Sequence, residues 1–260
     1  MLDRITPVIL TYDEAPNVRR TLERLTWAKD IVVVDSGSTD ATCEIVASFP
    51  QTRLVTRRFD THAEQWNYAI ASTGIRTEWI LALDADYVLT PELVEELASL
   101  QPPDAVNGYR ARFRYCIDGR PLRGSLYPPV TVLFRRAAAR YAQDGHTQRL
   151  VVDGAVGGLR GFVLHDDRKP FRRWLAAQKK YAALEARKLR ARGWDELDWH
   201  ERVRRVPFLS PLPVALYCTF ARGLVLDGRA GLIYVGQRVI FETALSIQML
   251  LQVGQSTDAR

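Results

Sequence analysis

Short apolar runs without a helical period recur through the first half of the chain, and between them apolar residues return every three or four positions. Thr6-Pro7-Val8-Ile9-Leu10-Thr11-Tyr12, Asp30-Ile31-Val32-Val33-Val34-Asp35, Arg53-Leu54-Val55-Thr56 and Trp79-Ile80-Leu81-Ala82-Leu83 predict strands. Val18, Leu22 and Leu25, the stretch from Asp40 to about Phe49, and Glu64 to Ala71 predict the intervening helices. Strand and helix in alternation describe a parallel α/β sheet with right-handed crossovers. The unbroken apolar character of Trp79 to Leu83 suits a strand covered on both faces.

Beyond Thr90-Pro91-Glu92, a cap and first turn for a helix, the pattern becomes more antiparallel. Tyr109 to Tyr115 alternates aromatic or small residues with Arg110, Arg112 and Arg114, and Asp118-Gly119 signals a hairpin. These arginines read as one solvated strand face, or, with Arg120 and Arg123, as contacts to a diphosphate or an anionic acceptor. Thr131 to Arg136 and Val163-Leu164-His165 predict further strands. Between Arg168 and Arg192 there are ten Lys or Arg residues against one acid, Glu185, with Phe171, Trp174, Leu175, Tyr181, Leu184 and Leu189 along an apolar face. That is a basic amphipathic helix, either packed on the domain or lying on an anionic membrane. From Phe208 to Val253 the chain is at its least polar, but Arg222, Asp227, Arg229, Arg238 and Glu242 interrupt it before a spanning length is reached. Interfacial or re-entrant helices, or a helical dimer surface, are the readings for this tail. The expected division is a nucleotide-binding and catalytic domain over 1–167 and a helical membrane- or acceptor-associating region over 168–260.

A chain of 260 residues supports a core without disulfides. Cys43, Cys116 and Cys218 are far apart and form no zinc spacing, so a reducing compartment is expected. No basic leader or cleavage site opens the sequence, which points to the cytosol. The net charge of +6 favours an anionic partner: nucleic acid, a membrane surface or a phosphorylated substrate.

Candidate chemistry gathers where successive strands end. Thr11, Asp13 and Glu14 follow the first, Asp35 and Ser38 the second, Asp84 and Asp86 the fourth, and ligands of open α/β sheets bind beyond such carboxyl ends. No Gly-x-Gly-x-x-Gly or Gly-Lys-Ser/Thr loop is present, which argues against dinucleotide oxidoreductases and P-loop enzymes. Asp84 and Asp86, one residue apart, suit a divalent cation whose shell water and phosphate oxygens complete; singly, each acid could equally be a turn or cap residue. A carboxylate such as Asp35 suits a base N–H or a ribose hydroxyl. His146 has the side chain most often used as a general base.

Thr11-Tyr12-Asp13-Glu14, Val33 to Asp40, Glu64-Gln65-Trp66-Asn67-Tyr68-Ala69 and Leu83-Asp84-Ala85-Asp86 together resemble family 2 glycosyltransferases of the GT-A fold. Within them the resemblance is to the bacterial lipopolysaccharide-core β-glucosyltransferase branch, and it extends weakly through Asp227-Gly228-Arg229-Ala230-Gly231. It implies a GT-A, Rossmann-like mixed sheet flanked by helices, holding a nucleotide-diphosphate sugar, UDP-linked, across the strand ends. Thr11, Tyr12, Glu14, Asp35, Ser38, Gln65, Asn67, Asp84 and Ala85 would line that donor. Asp84, Asp86 and His165 would hold Mg²⁺ or Mn²⁺. Asp144 would be the base of a single inverting transfer, in a motif whose usual Glu-Asp is here Gln143-Asp144, with His146 its competitor. Asp13 departs from the family's more frequent Asn. The acceptor expected is a lipid-linked or lipopolysaccharide-core hydroxyl, the location the cytoplasmic face of the inner membrane, and the assembly state a monomer or a homo-oligomer; nucleic acid is not an expected partner. A sugar nucleotidyltransferase and a non-enzymatic basic nucleic-acid or membrane-binding module are the alternatives.

Overall fold

The computed structural model describes residues 1–144 and 147–257. Along the chain come β1 (Ile5–Thr11), α1 (Val18–Glu23), β2 (Ile31–Asp35), α2 (Thr42–Ala47), β3 (Thr52–Thr56), α3 (His62–Ser72), β4 (Trp79–Asp84), β5 (Tyr87–Leu89) and α4 (Pro91–Ser99). There follow β6 (Val106–Ile117), β7 (Arg120–Pro121), β8 (Val130–Arg135), β9 (Ala139–Asp144), β10 (Thr147–Val152) and β11 (Ala155–His165). The helices α5 (Phe171–Ala191), α6 (Trp199–Arg205), α7 (Pro211–Leu216) and α8 (Gly228–Thr257) complete it. Two units result: Met1–Pro121 with Tyr127–Arg168, and Leu122–Leu126 with Lys169–Arg260.

The first unit is a mixed sheet in the order β3-β2-β1-β4-β8-β6-β11-β5, flanked by helices, which is the fold class the sequence implied. Strands β3, β2, β1 and β4 are parallel, and β8 enters antiparallel between β4 and β6. Strand β4 is central and feeds two cores. Trp79, Leu81 and Leu83 pack with Ile9, Leu22 and Leu25 on one face, while Ile80 and Ala82 pack with Val8, Val32, Trp66 and Phe134 on the other. That two-sided burial is why its sequence shows no alternation. Strand β6 alternates instead: Tyr109, Ala111 and Phe113 are buried, and Arg110, Arg112 and Arg114 are exposed. Arg112 and Arg114 both lie over the Phe162 ring, 4.4 and 4.1 Å from its centre.

Local chemistry sets the element ends. Thr90 Oγ1 accepts from the Leu93 amide at 3.3 Å, the cap its sequence predicted. Asp118 and Gly119 both have positive φ, 50° and 78°, and turn β6 into β7. Helix α2 starts at Thr42 rather than Asp40, because the Asp40 carboxylate accepts from the Thr42 amide at 3.0 Å. Strand β5 has only three residues, too few to show a period, and the sequence pattern does not announce it.

A register shift between Gly158 and Phe162 interrupts the pairing of β11 with β6. A bulge frees backbone donors that need another partner; here the Glu96 carboxylate of α4 accepts from the Arg160 amide at 3.0 Å and the Gly161 amide at 2.8 Å.

In the second unit α5 packs on α8 through Ala182, Ala186, Leu189, Leu245 and Met249. Beneath this seam Glu242, buried, accepts from Arg204 Nε at 3.1 Å and Ser210 Oγ at 2.9 Å. Among the described residues no helix is long and apolar enough to cross a membrane.

The approach of α4 to the bulge leaves no room for a side chain at Gly161, where a Cβ would stand 2.7 Å from Leu93 Cα. Backbone atoms cannot swing aside, so Gly161→Ala is expected to lower stability by about 1–3 kcal/mol, read as a lower urea midpoint at unchanged m.

Candidate functional site

Strand β2 delivers Asp35 to the sheet's carboxyl edge, where it is 1% exposed. Its Oδ1 accepts from the amides of Gly37 at 2.9 Å and Ser38 at 2.7 Å, and its Oδ2 from the hydroxyls of Thr11 at 2.8 Å and Ser38 at 2.5 Å. Burial alone would raise this carboxyl's pKa, but the Ser38, Thr11 and Gly37 donors reverse that and hold it below the ordinary value. A carboxylate offers about four lone-pair positions, and protein donors fill them. An incoming nucleoside hydroxyl or N–H would therefore reach Asp35 by displacing a hydroxyl of Thr11 or Ser38.

The turn after β1 is laced to the same loop. Asp13 has φ of 51°, its amide donates to Ser38 Oγ at 2.7 Å and its Oδ1 accepts from the Thr39 amide at 2.7 Å. Asp and Asn both tolerate the left-handed region and both present an acceptor oxygen there, so the departure from Asn keeps the local structure. Glu14 accepts from Asn17 Nδ2 at 2.8 Å, and its amide donates to Thr42 Oγ1 at 2.7 Å. Tyr12 stands 55% exposed at this edge.

At the end of β4, the carbonyl of Ala85 accepts from the buried Thr21 hydroxyl at 2.7 Å, and that of Asp86 from the Asp166 amide at 3.0 Å. The turn is thereby fixed from α1 on one side and from the end of β11 on the other. His165, the last residue of β11, pairs in register with Tyr87 and Tyr115 and brings Nε2 to 3.2 Å from Asp86 Oδ2. The rings of Tyr87, Tyr115 and Tyr127 surround its imidazole at 5.4, 4.8 and 4.7 Å. Burial works against the charged ring, but the Asp86 carboxylate outweighs it and holds the His165 pKa above its ordinary value. Asp84 is felt nearby: after burial, its charge is the next contribution raising the phenols of Tyr87, Tyr127 and Tyr141.

The expected metal trio is met only in part. Among the described residues no group of three or more His, Cys, Asp or Glu side chains is gathered as a metal cage; Asp86 and His165 meet, and Asp84 does not complete a trio with them. Two donors still fit a cation beside a nucleotide. Octahedral ligands at about 2.1 Å lie about 3 Å from one another, close to the 3.2 Å between Asp86 Oδ2 and His165 Nε2.

Two expected donor ligands are engaged inside the protein. Gln65 is fully buried and donates to Ser36 Oγ at 3.1 Å and the Arg57 carbonyl at 3.3 Å, while its Oε1 accepts from Arg57. Asn67 bridges to strand β9: Nδ2 donates to the Tyr141 carbonyl and Oδ1 accepts from the Tyr141 amide, both at 2.9 Å. Next to it, Trp66 stacks on Tyr141 at 5.2 Å. Asp144 ends β9 and pairs with Thr147 of β10; the Asp144 side chain and the whole of His146 lie outside the described residues.

Residues that sequence reasoning missed form a knot behind the turn. Asn17 Nδ2 donates to Asp167 Oδ1 at 2.9 Å and Asn17 Oδ1 accepts from the Arg168 amide at 2.8 Å. Arg20 donates to the Asp166 carbonyl at 2.6 Å, and Arg168 Nε donates to the Asp166 carboxylate at 3.0 Å. His165 was visible at a strand end, but polar residues on a short amphipathic helix such as α1 carry no signal of what they will meet.

The family described as glycosyl transferase family 2 matches residues 6–163. The chain is 30% identical over 198 residues to the lipopolysaccharide core biosynthesis glycosyltransferase LpsC of Rhizobium meliloti (strain 1021), a match that covers 70% of each. It is 29% identical over 145 residues to an uncharacterized glycosyltransferase of Rickettsia bellii (strain RML369-C), covering 54% of this chain and 48% of that one. Among solved structures, S. aureus TarS 1-349 in complex with UDP-GlcNAc is 13% identical, with a TM-score of 0.48 over 96% of this chain and 92% of that one.

Two substitutions test this geometry. Asp13→Asn should fold with stability within about 0.5 kcal/mol of the wild type, whereas Asp13→Val, β-branched at positive φ, should lose about 1–3 kcal/mol in the same denaturant titration. Asn67→Leu strips both Tyr141 backbone groups of their partner, at about 1–3 kcal/mol for each buried group left unsatisfied, and amide exchange should quicken along β9.

Proposed function

The chain belongs to glycosyl transferase family 2, and from that premise we propose that this glycosyltransferase is metal-dependent and inverting, moving one hexosyl group from a UDP-sugar to a hydroxyl of a lipopolysaccharide-core or lipid-linked acceptor. The observation that carries the reading is the meeting of Asp86 with His165 at 3.2 Å, beside the buried Asp35 loop, at one edge of the sheet. Family membership displaces the nucleotidyltransferase and the non-enzymatic binding module. The likeness to LpsC, named for lipopolysaccharide core biosynthesis, supports the acceptor class.

In this reading Thr11, Asp35 and Ser38 frame the nucleoside, with Glu14 beside them, and the exposed Tyr12 ring offers a stacking face for the base. Asp86 and His165 would hold the cation, with Asp84 as a further carboxylate nearby. Bound there, Mg²⁺ or Mn²⁺ supplies Lewis-acid neutralisation of the charge that grows on the leaving diphosphate. Asp144 takes the proton of the acceptor hydroxyl as that oxygen attacks the anomeric carbon, so the sugar transfers in one displacement with no covalent enzyme intermediate. Gln65 and Asn67 act one step back: Gln65 braces Ser36 and Arg57, and Asn67 holds the strand that carries Asp144. The enzyme works at the cytoplasmic face of the inner membrane, held there by the region 168–260.

A thermal-shift series with UDP-sugars, with and without Mn²⁺ or Mg²⁺, checks the donor and metal together. Saturation at about 100 times Kd stabilises by about 2.7 kcal/mol, and Asp86→Asn should abolish the metal-dependent part. Asp144→Asn should keep donor binding and lose about 10²–10⁴ in kcat; undiminished turnover there would move the base to His146. Near-normal, metal-indifferent turnover in both Asp84→Asn and Asp86→Asn would sink the metal reading.

A further inference from the structure

The second unit has its polarity reversed over residues 206–232. Facing solvent are Phe208 at 55%, Leu212 at 67%, Leu216 and Tyr217 each at 50%, Phe220 at 68% and Leu226 at 64% exposure. Leu212, Leu216 and Phe220 follow one another at steps of four and share one helical face through α7 and the π turn Tyr217–Ala221. Two polar residues of the same stretch, Ser210 and Asp227, point inward and are satisfied. Ser210, 1% exposed, donates to Glu242 at 2.9 Å, and Asp227, 5% exposed, accepts from the Arg123 amide at 2.9 Å.

Close contacts brace the arrangement: the Gly231 backbone lies against the Leu224 carbonyl with no space for a Cβ, and Tyr234 Oη accepts from the Leu126 amide at 2.8 Å. A fixed face this apolar is unfavourable in water and marks a binding surface.

We propose that this face beds into an anionic membrane surface, lying in the interface and not crossing it. Charge selects the occupant. Over 206–232 the exposed charges are Arg222 and Arg229, and the one acid of the stretch, Asp227, is buried. A second copy meeting it about a two-fold axis would set arginine against arginine, whereas anionic headgroups complement them and the acyl boundary takes the leucines and Phe220. The proposal deepens the lipid-linked acceptor reading, yet its physical basis is independent of the transfer chemistry.

Co-sedimentation of the full chain with vesicles of phosphatidylcholine, alone or mixed with phosphatidylglycerol, tests it. The wild type should pellet with the anionic vesicles and be released by salt, and Leu212→Glu/Phe220→Glu should bind at least about tenfold less at unchanged Tm. In the unsubstituted chain, hydrogen exchange over 206–232 should slow when anionic vesicles are added, a readout that requires no variant to fold. Equal binding of variant and wild type, equal binding to neutral vesicles, or no protection over 206–232 would overturn the proposal. So would a wild-type dimer in sedimentation velocity that the double variant dissociates without any vesicle binding. Loss of UDP-sugar turnover with vesicle binding intact would count against the transferase chemistry alone.

Discussion

The turn Asp84-Ala85-Asp86 sits at the end of a strand buried from Trp79 to Leu83, and a buried backbone must find partners for every carbonyl it carries. Thr21 takes the Ala85 carbonyl and the Asp166 amide takes that of Asp86. Those two bonds tie α1 and the end of β11 to one point, and the rest of the edge follows. With β11 fixed there, His165 arrives opposite Tyr87 and beside Asp86. With α1 fixed there, Asn17 and Arg20 reach the residues after His165. Main-chain constraints thus bring the Asp86 carboxylate to His165 before any ligand is present, and preorganisation of this kind is what electrostatic stabilisation draws on.

Asp35 illustrates a second way of holding charge. Four protein donors surround it, and its carboxyl stays ionised despite being buried. Because its folded pKa lies below the usual carboxylate value of about 3.9, its share of stability is present at neutral pH and is lost as the pH falls through that depressed value. The loop Ser36 to Thr39 is therefore organised by a negative charge and couples back to β1 through Asp13 and Thr11. A nucleoside bound here, as proposed, would exchange with an existing hydrogen bond, so that loop and ligand would respond to each other.

The sheet was legible because β1, β2 and β4 are buried on both faces and announce it as continuous apolar runs, while β6 announces one wet face by alternation. The candidate site was legible only as residue types at strand ends. Gln65 and Asn67 show the limit: an amide on a helix reads the same whether it faces a ligand, as Gln65 was expected to, or closes a bridge to a strand seventy-four residues away, as Asn67 does with Tyr141. Long-range partners of single polar side chains have no periodicity to betray them. The same holds for the Glu96 bonds into the bulge of β11 and for the Thr21 hydroxyl under Ala85.

The helical region shows how much packing takes up of a sequence signal. Its basic amphipathic stretch was read as either packed on the domain or lying on a membrane; α5 spends Ala182, Ala186 and Leu189 on its seam with α8 and leaves Phe171, Leu175 and Tyr181 exposed. What α8 and Glu242 leave outward is the face of α7 and the turns after it, where proline at Pro211 and Pro213 and a left-handed Gly223 break the helix into short pieces. Short pieces cannot span a bilayer, but they can present Leu212, Leu216 and Phe220 on one side while their polar residues bond beneath. Beneath that face Ser210 bonds to Glu242, Asp227 accepts from the Arg123 amide, and Gly231 packs directly against the Leu224 carbonyl. On the membrane proposal the surface would be ready in advance, so docking there would require no refolding of the unit and would depend on its exposed side chains alone.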